Sequence, residues 1–556
     1  MDAHQFASYR GMFLAVAVAA ALQAAVVARS PSVTADAIIF ASVSKDLARA
    51  PIETFRAHDQ HPGFPALLLA GARVVQALGD HREPESWMIG GQTVSFVCGL
   101  LSVGVVWFFA RDLFGAYAAN VAALVFAVLP VPRASASDAL SDTPHLLFYL
   151  LAAWLASSGI VKGRLLPLAG AGLASGIAYW IRPEGLEVAL VALVWLLWHG
   201  YHADWGLRRL GLATAVLAGT ALVVVGPYYV LAGKVTSKQL PVAKARAATL
   251  IAQLAPAKPA AEPASPPAAP VAENSAAEPK AAIADNGPAA LAGPKQDRHV
   301  AVFGWRPLGK AGMAFLNSAC QGFKWIFIPL YLLGHLELFR RNPDWLRLGF
   351  IWTLGAVHIG ILLAVHILSG YIAHRHLLPL IALAMPCTAL GIIYVGELAA
   401  RRLRTRHALA TLATLGLCCA LVVPYTVRPF GREFAPVIEA TRWVQAHAAP
   451  GSGVVSNSPY VGFYGTLPVA VLGHTTLSVD EALATADASA HYDFVVLHVG
   501  AHDYRPEWLA QVERNYQPVQ TSPEFIDGKR ALKVIIFEAK DAQARRLADK
   551  RQKAEG

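Results

Sequence analysis

Long apolar stretches recur along the whole chain, separated by short polar segments. A helix that crosses the bilayer needs about 20 mostly apolar residues, and eleven stretches approach that length and composition. They lie near residues 11–28, 88–110, 116–132, 143–161, 165–181, 185–200, 210–231, 319–338, 347–368, 376–399 and 408–427. The pattern predicts an all-α polytopic membrane domain with about 11 transmembrane helices.

The composition agrees with this prediction. Of 556 residues, 55% are hydrophobic and 15% are charged, with a mean hydropathy of +0.44, whereas a soluble domain carries about 25% charged residues. These values exclude a disordered chain and make an ordinary soluble enzyme a poor fit. The first stretch resembles a signal peptide, but ten further spans follow it, so we expect a retained first helix.

The placement of basic residues predicts the orientation. The net charge is +10, and much of the excess lies in short loops on one side of the alternating spans, above all at residues 401–406. The positive-inside bias makes this side cytoplasmic, together with the N-terminus. We therefore expect a multi-pass protein of the cytoplasmic (inner) membrane. No basic stripe with interleaved aromatic residues occurs, so nucleic acid is not an expected partner.

Two domains are predicted. Residues 1–430 form the transmembrane domain, with an outer loop at 29–87 whose stretches 38–47 and 64–78 are amphipathic. An Ala/Pro-rich outer insertion around 244–298 holds nine prolines between residues 256 and 294, and this composition predicts disorder. Residues 431–556 form a small extracytoplasmic α/β domain with a charged tail. Within it, residues 433–447 have helical periodicity, and 453–457, 493–498 and 532–538 have the pattern of buried strands.

Polar residues at helix ends on the outer side are the candidate site residues, because charged groups near a bilayer are costly. Five short stretches carry them, and all five fall on the outer face under this topology. Their members are Asp36, His58 and His61, Asp138 and Asp142, Arg182 and Glu184, and His374, Arg375 and His376. Their common side predicts one outward-facing polar site.

Carboxylates and cations at an outer-leaflet cavity suit the transfer of a group from a lipid phosphate. Asp36 is the candidate general base, which accepts a proton from an acceptor hydroxyl. Arg375, Arg182 and His376 are the candidates for holding the phosphate and stabilising the charge that grows on it. The candidates for substrate binding, or for lining the cavity, are His58, His61, Asp142, Glu184 and His374.

The order of these motifs resembles the GT-C membrane glycosyltransferases of the family 39 type. That group includes protein O-mannosyltransferases and the enzyme that adds aminoarabinose to lipid A. The resemblance covers roughly residues 5–430. It is carried by Ala35-Asp36 in the first outer loop, His61-Pro62-Gly63-Phe64-Pro65, Ser141-Asp142 at the start of a helix, Arg182-Pro183-Glu184-Gly185, and Tyr371 followed by Arg375-His376 and Pro379.

The resemblance implies an inverting transfer of a sugar from a polyprenyl-phosphate donor to a hydroxyl of a lipid, glycan or protein acceptor. It also implies that Asp36 is the catalytic base, that Asp142 is the acidic position of the second outer loop, and that Arg375 meets the donor phosphate. Two positions depart from the family pattern. Asp36-Ala37 stands where Asp-Glu is frequent, and Arg375-His376 stands where Arg-Tyr is usual. The second departure leaves the identity of the donor open.

Several local alternatives remain open. His58 and His61 have metal-ligand character, but two ligands three residues apart are a weak zinc signal, and the simpler interpretation is that they line the cavity or fix the loop. We expect no cofactor, with a divalent cation bridged by Asp36 and Asp142 as the alternative. Glu184 either caps a helix or contacts the substrate.

Asp138 has Arg133 as a candidate partner at the surface. His358 and His366, within the span 347–368, are expected to be buried and hydrogen-bonded rather than ligands.

Two alternatives concern the function as a whole. A transporter or flippase of lipid-linked or anionic substrates would show charges near the membrane midplane and inverted repeats, and neither is clear in the sequence. The second alternative is a non-catalytic membrane scaffold that displays residues 431–556, and this function would not explain the charged residues of the outer loops. The C-terminal domain itself either binds the acceptor or packs against the outer loops. Membrane lipids are expected partners in every case.

Overall fold

The computed structural model describes residues 3–58, 60–79, 83–233, 305–341, 343–369, 372–472, 478–484, 486, 490–501, 504–527 and 530–542. Two sequence predictions therefore lie outside the described residues: the Ala/Pro-rich insertion around 244–298 and most of the charged tail. Tyr371, which belongs to one of the motifs, also lies outside them.

The predicted spans coincide with α-helices to within a few residues at most ends. The described helices before the C-terminal domain are α1 (Ala3–Arg29), α2 (Ala35–Arg49), α3 (Pro51–Ala57), α4 (Gly63–Leu78), α5 (Glu85–Val128), α6 (Pro130–Ser137), α7 (Asp142–Lys162), α8 (Leu165–Ile181), α9 (Leu186–His202), α10 (Leu207–Ala232), α11 (Trp305–Leu338), α12 (Trp345–Ser369), α13 (Leu378–Leu403) and α14 (His407–Thr426).

Seven of the described helices are long and apolar enough to cross a membrane, judged by length and composition: α1, α5, α7, α10, α12, α13 and α14. The 44-residue helix α5 contains the predicted span 88–110 and most of the span 116–132. Its backbone breaks at Gly115, whose φ of 81° lies in the left-handed region that favours glycine. The chain is therefore a multi-pass membrane protein.

Two of the predicted spans differ from the helices at one end for a local reason. The span predicted to reach residue 132 stops at Val128, because Leu129 is extended and Pro130 begins a separate short helix. A proline lacks the N–H needed inside a helix but is well tolerated in its first turn. The span predicted to start at 319 belongs to a helix that already begins at Trp305, with a non-helical residue, Lys324, inside it.

The amphipathic pattern predicted for loop 29–87 is confirmed. Helix α2 buries Phe40, Val43 and Leu47 on one face, and α4 covers the predicted stretch 64–78. The start of α4 lies tightly against the end of α8. A Cβ at Gly63 would come within 2.6 Å of the Trp180 carbonyl oxygen, so only glycine permits this approach.

The C-terminal domain is α/β, as predicted. Its helices and strands are α15 (Ala435–His447), β1 (Ser452–Ser456), α16 (Pro459–Tyr464), β2 (Val469–Val471), α17 (Val479–Ala484), β3 (His491–Val499), α18 (Pro506–Asn515), β4 (Tyr516–Thr521), β5 (Phe525–Asp527) and β6 (Arg530–Ala539). The sheet has the order β2-β1-β3-β6-β4, with β5 paired to β6. Strands β1, β2 and β3 are parallel, whereas β6 pairs antiparallel with β3 and β4.

This domain packs on α2. Apolar residues of the two regions share one buried cluster, in which Ala37 and Ala41 of α2 meet Tyr460 of α16 and Val437 of α15. The Tyr460 hydroxyl donates a hydrogen bond of 3.0 Å to the Val33 carbonyl, just before α2 begins. Of the two roles considered for the domain, packing against the outer loop is therefore observed. The domain boundary at residues 430/431 stays a prediction.

Candidate functional site

A polar pocket of about 240 Å³ opens where the first loop, the start of α7, the end of α8 and the turn before α13 meet. Four separate parts of the chain thus contribute to it. Its lining residues are Asp36, Ile39, Phe40, Gln60, His61, Ser141, Asp142, Ile181, Arg182, Arg375 and His376. Six of the predicted site residues are among them: Asp36, His61, Asp142, Arg182, Arg375 and His376.

Asp36 lies in the first turn of α2 and forms an ion pair with Arg375. The Arg375 guanidinium donates from Nη2 to the Asp36 carboxylate oxygen Oδ2. Both side chains are partly exposed to the pocket. The candidate base and the candidate phosphate-binding group, 339 residues apart in sequence, are therefore direct neighbours.

Asp138 anchors the start of the helix that carries Asp36. Its carboxylate accepts a 2.6 Å hydrogen bond from the Thr34 hydroxyl and a 3.3 Å bond from the Thr34 backbone N–H. Burial raises the pKa of this carboxyl to about 6, against the opposing effect of the hydrogen bonds from Thr34 and the Ala139 backbone. The sequence had suggested Arg133 as its partner at the surface. Instead Asp138 is buried, and Arg133 donates to Gln23.

A second ion pair lines the pocket. The Arg182 guanidinium donates from Nη1 to Asp142 Oδ1, and its Nε lies 3.5 Å from Glu184 Oε2. Burial alone would lower the pKa of Arg182, but the carboxylates of Glu184 and Asp142 raise it above its ordinary value. Arg182 is therefore a permanent and largely buried cation. Glu184 is not part of the lining, and no side-chain cap is formed at the start of α9.

The tight turn after α8 explains the sequence Arg182-Pro183-Glu184-Gly185. The 3-10 turn Pro183–Gly185 returns the chain directly into α9. A Cβ at Gly185 would lie 2.3 Å from the backbone of Ala178, so this residue must be glycine. The Ser175 hydroxyl donates a 2.7 Å hydrogen bond to the Gly185 carbonyl and ties the turn to α8.

The two histidines of the first loop have different surroundings. His61 is buried; its Nδ1 lies 2.9 Å from the Tyr179 carbonyl oxygen, and its ring stacks on Tyr228 with 5.0 Å between the ring centroids. The Nε2 atom of His58 lies 3.1 Å from Asp46 Oδ2, away from the pocket lining. Among the described residues, no group of three or more His, Cys, Asp or Glu side chains could hold a metal ion.

The 3-10 turn His374–Leu377 carries Arg375 and His376 to the pocket. Beneath it, His358 Nε2 lies 3.2 Å from the His376 carbonyl oxygen, and His358 Nδ1 lies 2.6 Å from Glu187 Oε1. The sequence predicted that His358 is buried and hydrogen-bonded, and this is confirmed. His374 is not part of the lining. Glu187 was missed, although a carboxylate inside an apolar helix is a signal for a functional group.

Comparisons with known proteins agree with this architecture. Residues 86–230 match the family model of dolichyl-phosphate-mannose-protein mannosyltransferases. No curated protein matches the chain in sequence. The structure of ArnT from Cupriavidus metallidurans bound to undecaprenyl phosphate is similar, with a TM-score of 0.55 and 15% identity over 94% of this chain and 97% of that chain.

Two structures from Archaeoglobus fulgidus are also similar, each over 94% of this chain. The oligosaccharyltransferase in complex with Zn and sulfate has a TM-score of 0.52 and 11% identity over 72% of that chain. AglB in complex with an inhibitory peptide and a dolichol-phosphate has a TM-score of 0.51 and 12% identity over 74% of that chain. The GT-C fold predicted from the order of the motifs is confirmed by these matches.

Proposed function

We propose that this chain, a multi-pass membrane protein with the GT-C fold, is a glycosyltransferase that moves a sugar from a polyprenyl-phosphate donor to a hydroxyl acceptor. One observation carries the proposal: a carboxylate, Asp36, and a guanidinium, Arg375, meet in a polar pocket of an otherwise apolar helical protein. The match to a mannosyltransferase family model over residues 86–230 supports it. So do two structural neighbours that bind undecaprenyl phosphate and a dolichol-phosphate.

The donor phosphate is the group for which the two arginines are suited. When the sugar leaves, the polyprenyl phosphate gains one negative charge, and donors aimed at that charge stabilise the transition state. Arg375 and Arg182 both line the pocket, and a guanidinium binds phosphate oxygens through two parallel N–H groups. His376 lies in the same lining and is the further candidate for this contact.

Asp36 is suited to act on the acceptor. Its carboxylate takes the proton of the acceptor hydroxyl while the oxygen attacks the anomeric carbon from the face opposite the phosphate. One carbon–oxygen bond to the sugar forms as the bond to the phosphate oxygen breaks, so the anomeric configuration inverts. General base catalysis of this kind contributes roughly 10²–10⁴-fold to the rate.

The Asp36–Arg375 pair adds an order to these steps. In the free protein the base is paired with the phosphate-binding group. A donor phosphate competes for Arg375 and releases Asp36 to accept a proton. The base is then available only when a donor is in place.

We propose that no divalent cation takes part. Asp36 and Asp142 each face an arginine rather than one another, so the residues present fit a site neutralised by guanidinium groups. Transfer by the purified protein should therefore be the same in excess EDTA as in Mg²⁺ or Mn²⁺, within about twofold. A loss on chelation that Mn²⁺ restores would establish the bridging cation instead.

We propose that the pocket and the C-terminal domain face outward from the inner membrane. The basic cluster at residues 401–406 joins α13 to α14 at the end of α13 opposite the turn that carries Arg375, and the positive-inside bias makes that end cytoplasmic. A cysteine placed at the exposed position Thr405 should be labelled by a membrane-impermeant thiol reagent only after the cells are broken. Labelling in intact cells would mean that residue 405 faces outward and that the pocket faces the cytoplasm.

The direct test supplies purified full-length protein in lipid nanodiscs with radiolabelled polyprenyl-phosphate sugars and a crude envelope extract as acceptor. Wild type should form a glycosidic product with inverted configuration, and Asp36→Asn should lose it. Arg375→Ala should raise the donor KM at least tenfold, because hydrogen bonds to charged groups contribute roughly 1.5–3 kcal/mol. If Asp36→Asn still forms the product, Asp36 is not the general base. Movement of substrate across proteoliposome membranes without a new glycosidic bond would support the transporter instead.

A further inference from the structure

Behind the pocket, a buried acid and a buried histidine form a continuous hydrogen-bonded chain to the turn that carries Arg375. Glu187 of α9 contacts His358 Nδ1 at 2.6 Å, and His358 Nε2 contacts the His376 carbonyl oxygen at 3.2 Å. Both side chains are buried. The Tyr149 ring covers His358 at 5.8 Å between ring centroids, in an edge-to-face arrangement.

The positions of the hydrogen atoms in this series of hydrogen bonds can be inferred from the groups that accept them. A carbonyl oxygen only accepts hydrogen bonds, so Nε2 of His358 must carry a hydrogen that it donates to the turn. Glu187 holds the other ring nitrogen and thereby fixes the orientation of the ring. Ring nitrogens of a buried histidine are set by such partners, and burying an acid and a histidine together is costly unless each satisfies the other.

The contact acts on the residue next to Arg375. His376 follows Arg375 directly, and both belong to the turn His374–Leu377. This turn has backbone contacts of its own, such as the bond from the His376 N–H to the Ala373 carbonyl. The His358 side chain contacts the His376 carbonyl oxygen from the side of α12. Its position is set from α12, the helix that precedes the turn, and from Glu187 of α9, which is remote from the turn in sequence.

We propose that Glu187 and His358 are positioning residues that hold the His374–Leu377 turn so that the Arg375 guanidinium meets the donor phosphate. The inference rests on the proposed function, because it assigns Arg375 to that phosphate. Neither residue lines the pocket, so both act through the turn. Their loss weakens donor binding and leaves the acceptor side, built on α2, unchanged.

Two conservative substitutions separate the two contacts of the histidine. The amide nitrogen of glutamine takes the place of Nε2, so His358→Gln keeps the donor to the His376 carbonyl. The shorter asparagine reaches only the place of Nδ1, so His358→Asn keeps the contact with Glu187 and loses the one with the turn. Glu187→Leu removes the group that orients the ring. The matched control is His335→Asn, since His335 Nδ1 contacts the Tyr331 carbonyl at 3.0 Å outside the pocket.

The measurement is the equilibrium binding of undecaprenyl phosphate to the purified full-length chain in detergent, titrated by native mass spectrometry, with undecaprenol as the probe that lacks the phosphate. We expect His358→Asn and Glu187→Leu to weaken phosphate binding about tenfold, equivalent to about 1.4 kcal/mol. His358→Gln and His335→Asn should stay within about twofold of wild type, and undecaprenol should bind all variants alike.

Other outcomes overturn the inference in recognisable ways. Equal loss in His358→Gln and His358→Asn, or equal loss for undecaprenol, would mean that the histidine only maintains packing. Wild-type affinity in Glu187→Leu would mean that Glu187 is not a positioning residue. The same variant also tests the inference if His358→Asn does not fold. If wild type itself does not distinguish undecaprenyl phosphate from undecaprenol, the proposed function fails and this inference fails with it.

Discussion

Two aspartate–arginine pairs line the same pocket, and they differ mainly in their exposure. The side chains of Asp36 and Arg375 are 43% and 27% exposed, whereas those of Asp142 and Arg182 are 5% and 13% exposed. The exposed pair joins the first loop to the turn before α13, and the buried pair joins α7 to the turn after α8. An ion pair that water reaches can exchange partners at low cost. In a buried ion pair, each charge compensates the desolvation of the other, so removing one partner is strongly destabilising.

Under the proposed function, this difference gives the two pairs different tasks. Asp36 and Arg375 can separate when a phosphate arrives, so they are the pair suited to chemistry. Asp142 and Arg182 form a fixed charged floor, further held by Glu184 at 3.5 Å. Under the proposed function, the same residue types therefore have a catalytic task at one edge of the pocket and a structural task at the other.

The largest expected contrast comes from the two aspartates. Asp36→Asn removes the proposed base but keeps the side-chain size, so transfer should fall by about 10²–10⁴-fold, with a thermal midpoint close to that of wild type. Asp142→Asn leaves Arg182 with Glu184 as its carboxylate partner, and the loss of the second carboxylate costs about 1–3 kcal/mol of unfolding free energy. The measurements are initial rates of transfer and thermal unfolding in the same detergent. If Asp36→Asn is strongly destabilised and Asp142→Asn is as stable as wild type, then Asp36 has the structural task and Asp142 does not.

Much of this arrangement could be predicted from the sequence. Apolar runs predict helices because hydropathy is a local property, and the outer side of each polar motif follows from the alternation of spans. The position of Asp36, Asp142, Arg182 and Arg375 in one pocket follows from that sidedness. The spacing along the chain also predicted the strands that became β1, β3 and β6.

The pairings could not be predicted, because they are tertiary. Asp36 finds Arg375 across 339 residues, and no local pattern selects that arginine over Arg182. Asp138 was assigned to the nearby Arg133, whereas packing of α1 against α6 gives Arg133 to Gln23 and leaves Asp138 to Thr34. Both side chains are buried, and burial depends on helices that are distant in sequence.

Asp138 provides a pH-dependent test of how α2 is anchored. Its folded-state pKa of about 6 lies above the ordinary value of 3.8 because the carboxyl is buried. Between these pH values the folded state binds more protons than the unfolded state. The protonated Asp138 therefore stabilises the folded state fully below about pH 4, and this stabilisation is lost as the pH rises through about 6. At about 1.4 kcal/mol for each pKa unit, the loss is roughly 3 kcal/mol.

The comparison variant for this effect is Asp138→Asn. It cannot titrate, so the difference in thermal midpoint between wild type and variant should change between pH 4 and pH 6.5 and be constant above that range. Wild type should lose stability relative to the variant as the pH rises. A difference that grows in the opposite direction would mean that hydrogen bonds from Thr34, rather than burial, dominate the ionisation of this carboxyl.

The smallest expected effect concerns His58, which the sequence grouped with the pocket histidine His61. His58 is partly exposed, and its partner Asp46 lies away from the pocket lining. Exposed pairs of this kind contribute about 0.2–1 kcal/mol, so His58→Ala should change transfer by less than about twofold and shift the thermal midpoint only slightly. His61→Ala is the matched variant, since it removes a buried ring stacked on Tyr228, and it should lower both stability and transfer. Comparable loss of transfer in the two variants would place His58 at the substrate and extend the exposed side of the site beyond the Asp36–Arg375 pair.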